Sequence, residues 1–285
     1  MASTSEIQAD AQPSVPDSYD PGVECWEPFE REYRMDRKNQ GFCLIINVLR
    51  FSIASCLQLE DRREDLFNRK AKTIKNTFEA MGFKCEDVEC RTWEEMKEKL
   101  NEYKDKKQEL RDSNCFVCWL LTCRTEDNKV VQLHAHNRPM QVNDIVDPFI
   151  GKNCEELVGK PKLFFIEADL AEKKKESTLA DDRSPSDKAP HKIPNTADVL
   201  VATCMIGKGD MRYTETVCDV FGEHITKEPV NEIAVLLAEV ANRIGSSKSN
   251  SATTSPTQST LTKHLYLTKM DRLTDETPKE PSVRT

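Results

Sequence analysis

The sequence predicts an α/β fold: a three-layer α/β/α sandwich whose mixed, mostly parallel sheet has about six strands and carries helices on both faces. Two observations carry that expectation. Apolar runs of strand length, such as residues 41–48 and 115–123, are nearly continuous rather than alternating, as strands covered on both faces are. Between such runs stand longer segments whose apolar residues recur three and four positions apart, the spacing of a helix with one buried face. The chain has 285 residues, 38% of them apolar. One domain of roughly 240 residues therefore buries a sizeable core.

The elements follow in chain order. Residues 41–48 form the first strand. Ile74, Phe78 and Met81 mark a helix that Gly82 stops. Thr92-Trp93-Glu94-Glu95 has the form of a capping box, and the helix it opens buries Trp93, Met96, Leu100 and Tyr103. Residues 115–124 and 162–170 are strands, and Val199 to Cys204 is another. Val217, Val220, Phe221 and Ile225 make the next helix; Ile233, Leu236, Leu237, Val240 and Ile244 make the last. Residues 260–267 alternate Thr or polar residues with Leu, which predicts a closing strand with one buried face.

Composition excludes several functions. The net charge is −8, and the Lys and Arg residues are scattered or paired with acids, so neither a nucleic-acid nor an anionic-membrane surface is expected. The 11 cysteines, an odd number, come without a signal peptide or a long apolar span, which points to a reduced, cytoplasmic protein. Cys115-x-x-Cys118 has the spacing of a redox or zinc pair, but it lies inside an apolar strand, where residues three apart face opposite sides. Two buried structural thiols are expected, with no metal and no cofactor.

Five blocks of sequence resemble one family in its own order. They are Tyr33-Arg34-Met35; Gly41-Phe42-Cys43-Leu44-Ile45-Ile46-Asn47; Gly159-Lys160-Pro161-Lys162 with the strand after it; His191-Lys192-Ile193-Pro194 with 197–202; and Leu261-Thr262-Lys263-His264-Leu265-Tyr266-Leu267. Together they span about residues 33 to 270 and resemble the caspases. The family's catalytic strand ends in Gln-Ala-Cys-x-Gly, with its His roughly 50 residues upstream. Here the tail reads Glu167-Ala168-Asp169-Leu170-Ala171, and the upstream strand ends Leu121-Thr122-Cys123-Arg124. The resemblance therefore puts Asp169 at the cysteine position, Cys123 at the histidine position and Arg124 at the position of the glycine that helps hold the oxyanion. A carboxylate attacks amides far less readily than a thiolate, and a thiol does not carry protons near neutral pH as imidazole does. Losing one member of such a unit costs on the order of a millionfold in turnover. The expectation is an inactive peptidase homologue. None of the five His residues (134, 136, 191, 224 and 264) stands near either strand end in sequence in a way that offers a replacement base.

The resemblance implies further assignments. A vestigial substrate pocket would comprise Arg63, shifted by about one residue from the family's first arginine, Glu167 in place of Gln, and Arg212 at the second arginine. Glu167 would oppose an acidic substrate side chain, and the chain runs almost directly from Tyr213-Thr214-Glu215 into a helix, without the family's Trp-containing groove loop. The implied division is a short prodomain-like segment (1–32), a large-subunit-like part (33–172), an intersubunit linker (173–192), a small-subunit-like part (193–270) and a tail (271–285). The short first segment resembles the executioner branch, of invertebrate type. Asp182 and Asp187 are candidate processing positions in the linker. The family pairs its last strands across a two-fold axis, which places Thr257, Gln258, Ser259, Thr260, Leu261 and Thr262 at a partner surface more polar than usual. The expected function is regulation of an active caspase paralogue by heterodimerisation, as an allosteric activator in apoptosis, with a dominant-negative decoy as the alternative and a homodimer possible.

Overall fold

The computed structural model describes residues 31–37, 39–48, 61–127, 130–135, 138–170, 197–206, 212–225, 227, 230–246, 252–254 and 257–267. In chain order these form β1 (Asn39–Asn47), α1 (Asp61–Ala80), β2 (Lys84–Glu89), α2 (Trp93–Asp105), α3 (Lys107–Arg111), β3 (Ser113–Asp127), β4 (Val130–His134), β5 (Pro139–Met140), α4 (Asn143–Val146), β6 (Lys162–Leu170), β7 (Val199–Ile206), α5 (Tyr213–His224), α6 (Ile233–Gly245), β8 (Ala252–Thr254) and β9 (Gln258–Ser259). Three turns of 3-10 helix lie between α4 and β6.

Six strands make the main path of one sheet, in the order β2-β1-β3-β6-β7-β8. The first five run parallel, while β8 and β9 pair antiparallel with β7. β4 folds back antiparallel on the long C-terminal extension of β3, and β5 pairs with β4. One core cluster on one face packs the sheet against α1, α5 and α6; another, on the opposite face, packs against α2 to α4 and the 3-10 turns. The sheet is thus covered on both sides, which is why the central strands are apolar at nearly every position. On the α1 side Trp119 stacks on Phe165 with centroids 4.6 Å apart; on the other, Phe116 stacks on Phe149 at 4.2 Å. Cys115 and Cys118 fall in opposite clusters, both buried, as strand alternation requires.

Local signals read from the sequence have physical counterparts. α1 ends in a Schellman motif: the Phe83 N–H donates to Phe78 O at 3.0 Å, the Gly82 N–H donates to Glu79 O at 2.9 Å, and Gly82 takes φ 91°. The rings of Phe78 and Phe83 close the motif edge to face, 5.4 Å apart. Thr92 caps α2 by accepting the Glu95 N–H at 3.1 Å. The return arm differs from a strict capping box, since Glu95 accepts from the N–H of Arg91 at 2.7 Å instead of that of Thr92. Met96, Leu100 and Tyr103 are buried as expected, while Trp93 is half-buried with the Arg138 guanidinium over its ring. Gly41 is required by close approach. A Cβ there would stand 1.9 Å from Cys115 O across the β1–β3 pair, and φ is 131°.

The expected closing strand at 260–267 is corrected. Ladder pairing with β7 lies upstream, in β8 and β9, and its register slips by one residue between them: Cys204 faces Thr254, whereas Leu200 faces Ser259. Past β9, among the described residues, only isolated bridges occur, Glu32 with His264 and Glu232 with Tyr266. The alternation seen in sequence is real, since Leu265 and Leu267 are buried, but this segment packs on α6 and the start of the domain rather than along a strand. Its anchor is Asp198, a buried residue at φ 68° that accepts from Tyr33 OH at 2.7 Å and from Thr262 Oγ1 at 2.6 Å.

Candidate functional site

The parallel register of β3 on β6 sets Cys123 beside Asp169 and, one rung on, Arg124 beside Leu170. The antiparallel turn into β4 sets His134 on the other side of Cys123. One rung therefore reads His134, Cys123, Asp169 across three adjacent strands, all three buried. Cys123 and Asp169 are thus brought together as the sequence implied, and His134 is the residue that sequence reasoning passed over. It lies only a hairpin away from Cys123, and the run Val130-Val131-Gln132-Leu133-His134 after β3 is the signal that would have found it. The imidazole does not face the thiol alone. Its Nε2 is 2.7 Å from Thr125 Oγ1, and burial pulls its pKa down to about 4, so the ring is neutral near pH 7. Successive residues alternate across a strand, and Leu133, which faces Arg124, belongs to the core on the side away from α1. Arg124 accordingly turns away from the face that carries Cys123 and Asp169.

Two residues before Asp169, on the same face of β6, Glu167 forms a fully buried ion pair with Lys70 from the middle of α1. Its other carboxylate oxygen accepts from the N–H of Thr214 at 3.1 Å and from the Thr214 hydroxyl at 2.5 Å. Thr214 stands in the first turn of α5, whose N-cap Arg212 makes no side-chain cap of its own. Glu167 thus serves as the acceptor for an otherwise orphaned helix N–H, where the helix dipole also favours a negative charge. Burial by itself would lower the Lys70 ammonium. The Glu167 carboxylate, helped by Asp169 and Glu215, outweighs it and holds Lys70 above its ordinary range. Glu215 moves the other way from a solvated acid, since burial raises its carboxyl.

This geometry revises the part assigned to Glu167. Its charge does not project uncompensated into a ligand pocket; it is answered inside the fold by Lys70 and Thr214. Of the other pocket residues, Arg212 is exposed beside α5, and Arg63 lies in the first turn of α1, with its side chain outside the described residues. Asp182 and Asp187 lie outside the described residues. Thr257, Gln258, Ser259 and Thr262 are exposed, and Thr260 and Leu261 are half-buried. Within that segment Thr260 is tied to Val199 through both main chain and hydroxyl, Thr262 to Asp198, the Ser259 hydroxyl accepts from the Leu261 N–H and Leu261 packs on the core, while Thr257 and Gln258 are exposed ahead of them. Among the described residues, no helix is long and apolar enough to cross a membrane.

Residues 40–266 match the caspase domain. The chain is 27% identical over 208 residues to caspase-7 of Gallus gallus, covering 68% of this chain and 64% of that protein. It is 32% identical over 145 residues to caspase-6 of Mus musculus, covering 51% of this chain and 49% of that one. The chain thus spans less than two thirds of the length of these curated relatives. Among solved structures it is similar in fold to caspase-1 from Spodoptera frugiperda, with a TM-score of 0.64 at 22% identity over 85% of this chain and 95% of the other. A structure of pro-sf-caspase-1 gives a TM-score of 0.67 at 21% identity, over 85% and 96%. The match over most of the chain and the shared sheet lead to one conclusion: this chain belongs to the caspase-domain family.

Proposed function

We propose that this chain is a non-catalytic caspase homologue that regulates a catalytically competent caspase by forming a heterodimer through the edge carrying residues 257–262, and that it acts as an activator in apoptosis. The observation that supports the loss of catalysis most directly is the Cys123–Asp169 rung. Peptide hydrolysis in this family's manner needs a thiolate at the end of β6 and an imidazole at the end of β3. The β6 position carries a buried carboxylate and the β3 position a buried thiol. A carboxylate there is a poor nucleophile toward amides and opposes an oxyanion forming beside it. His134 does not replace the lost base, because it is held by Thr125 and is starved of solvent.

Two features support a regulatory role. β8 and β9 form the terminal strand of the sheet, and an edge strand presents unpaired main-chain groups that a second chain can extend. The buried Lys70–Glu167–Thr214 cluster ties α1, β6 and α5 together, so the fold does not rely on a ligand to order those elements. A partner whose catalytic loops are ordered only on dimerisation would be shifted toward its active state by such a prepaid surface.

The test is a titration of this protein into a purified active caspase from the same organism, following cleavage of a fluorogenic Asp-peptide together with complex mass. A rise in activity with a two-chain complex is the expected result. A fall with the same complex would reverse the sign and make the protein a decoy, and absence of a complex would remove the dimer reading. Interface variants belong at Thr257 and Gln258, for example Thr257→Arg with Gln258→Arg, since Thr262 also holds Asp198 and its replacement would damage the fold as well.

A further inference from the structure

A second feature lies at the opposite edge of the sheet and is independent of the regulatory reading. Among the described residues β2 is the outer strand there, bonded only to β1, and its residues are exposed or half-buried. In the parallel register of β1 on β2, Cys43 stands directly opposite Cys85. Neighbouring strands lie about 4.8 Å apart, inside the roughly 4.4–6.8 Å window of Cα separations that a disulfide spans. Paired residues in register project to the same face, and both side chains meet the core cluster on the α1 side. Both are reduced. Cys43 is fully buried and Cys85 partly exposed, with Cys85 Sγ also 3.8 Å from Phe83 O. The pair is asymmetric in the way a redox pair needs: one thiol open to an oxidant, the other held beside it in the core.

We propose that Cys43 and Cys85 are a peroxide-sensitive thiol pair that closes an intrachain disulfide between β1 and β2. The Cys85 thiolate attacks one oxygen of hydrogen peroxide, an S–O bond forms as the O–O bond breaks, and the hydroxide released takes up a proton and leaves as water. Cys43 sulfur then attacks the sulfenic sulfur, the S–S bond forms, the S–O bond breaks, and the Cys43 proton leaves with the hydroxide as a second water. Two electrons pass from the thiols to peroxide. The new bond would close a loop of about 40 residues that contains all of α1, and with it Lys70, so oxidation would lock the helix that answers Glu167.

The experiment treats the full chain with a modest excess of hydrogen peroxide, quenches with an alkylating reagent, and maps the peptides without reduction. Fragmentation is needed to separate Cys85 from Cys90, which share a tryptic peptide. The expected product is one intramolecular Cys43–Cys85 link, reversed by dithiothreitol, with the thermal midpoint raised by about 5 °C. Cys85→Ser, at a partly exposed edge position, removes both the link and the shift, and Cys218→Ala, which changes the nearest thiol of α5, leaves them in place. Two thiols that stay reduced, a Cys85 driven to sulfinic acid, or a link from Cys85 to Cys218 or to a second chain would each overturn the assignment.

Discussion

Lys70 and Glu167 form a fully buried ion pair between the middle of α1 and the end of β6. The second Glu167 oxygen is held by Thr214 at the start of α5, so both oxygens of that carboxylate are engaged by protein. Removing two charges from water is costly, and a pair of this kind is stabilising mainly in the sense that neither partner tolerates loss of the other.

Lys70→Met should therefore destabilise the fold by about 3 kcal/mol, because Glu167 is left buried with a charge that only Thr214 answers. The double variant Lys70→Met with Glu167→Leu should recover most of that loss. Urea unfolding of the wild type, the single and the double variants measures both. A single variant that costs less than about 1 kcal/mol would show that water reaches Glu167 and that the pair is not sealed.

The neighbouring rung makes a prediction about activity. On the proposed reading, Asp169→Cys, Cys123→His and Arg124→Gly together put the family's residues at the paired positions of β3 and β6, yet Glu167 stays committed to Lys70 and Thr214. Cleavage of an Asp-peptide by the triple variant should remain orders of magnitude below that of a competent caspase. Robust turnover would contradict the view that the pocket is filled from within.

His134 sets an acid sensitivity. Its folded pKa of about 4 lies below the ordinary 6.5, so between those values the unfolded chain binds the extra proton. Stability is consequently lost as pH falls from 6.5 toward 4, by on the order of 2 kcal/mol from this group. Urea midpoints at pH 7 and pH 4.5, compared between wild type and His134→Gln, isolate the contribution. Equal acid losses in the two proteins would place the titrating group elsewhere.

Helix capping at Thr92 is a local effect with a local cost. Thr92→Ala removes the acceptor for the Glu95 N–H and should lower stability by about 1 kcal/mol, with Thr92→Ser close to wild type. Thermal unfolding of the two variants decides the point.

At the other end of the sheet, Tyr33→Phe removes the hydroxyl that donates to Asp198 and accepts from the Thr262 N–H. A buried carboxylate loses one of its donors, so a loss of about 2 kcal/mol is expected. Amide exchange should accelerate at Thr262 and its neighbours before it does so in β6. Uniform exchange would instead mean that the segment opens only with the whole domain.

The sequence by itself determined the class of the fold, the order of its main elements and the family. Each of those rests on short windows: continuous apolar runs for covered strands, the stripe of Ile74 and Phe78 for α1, Gly82 for its stop and Thr92 for the start of α2. The resemblance to the caspases also put Cys123 and Asp169 at corresponding motif positions, and the parallel register of β3 on β6 sets the two side by side. Tertiary structure alone decided what those positions touch. Lys70 answers Glu167 from a different element, His134 reaches Cys123 through an antiparallel turn, Cys85 meets Cys43 across a crossover, and β8 and β9 take the edge that the later Thr-Leu alternation had suggested. Local periodicity is set by the bonding of residues a few positions apart, whereas these pairings depend on strand register and helix docking, where a shift of one residue turns a side chain to the other face.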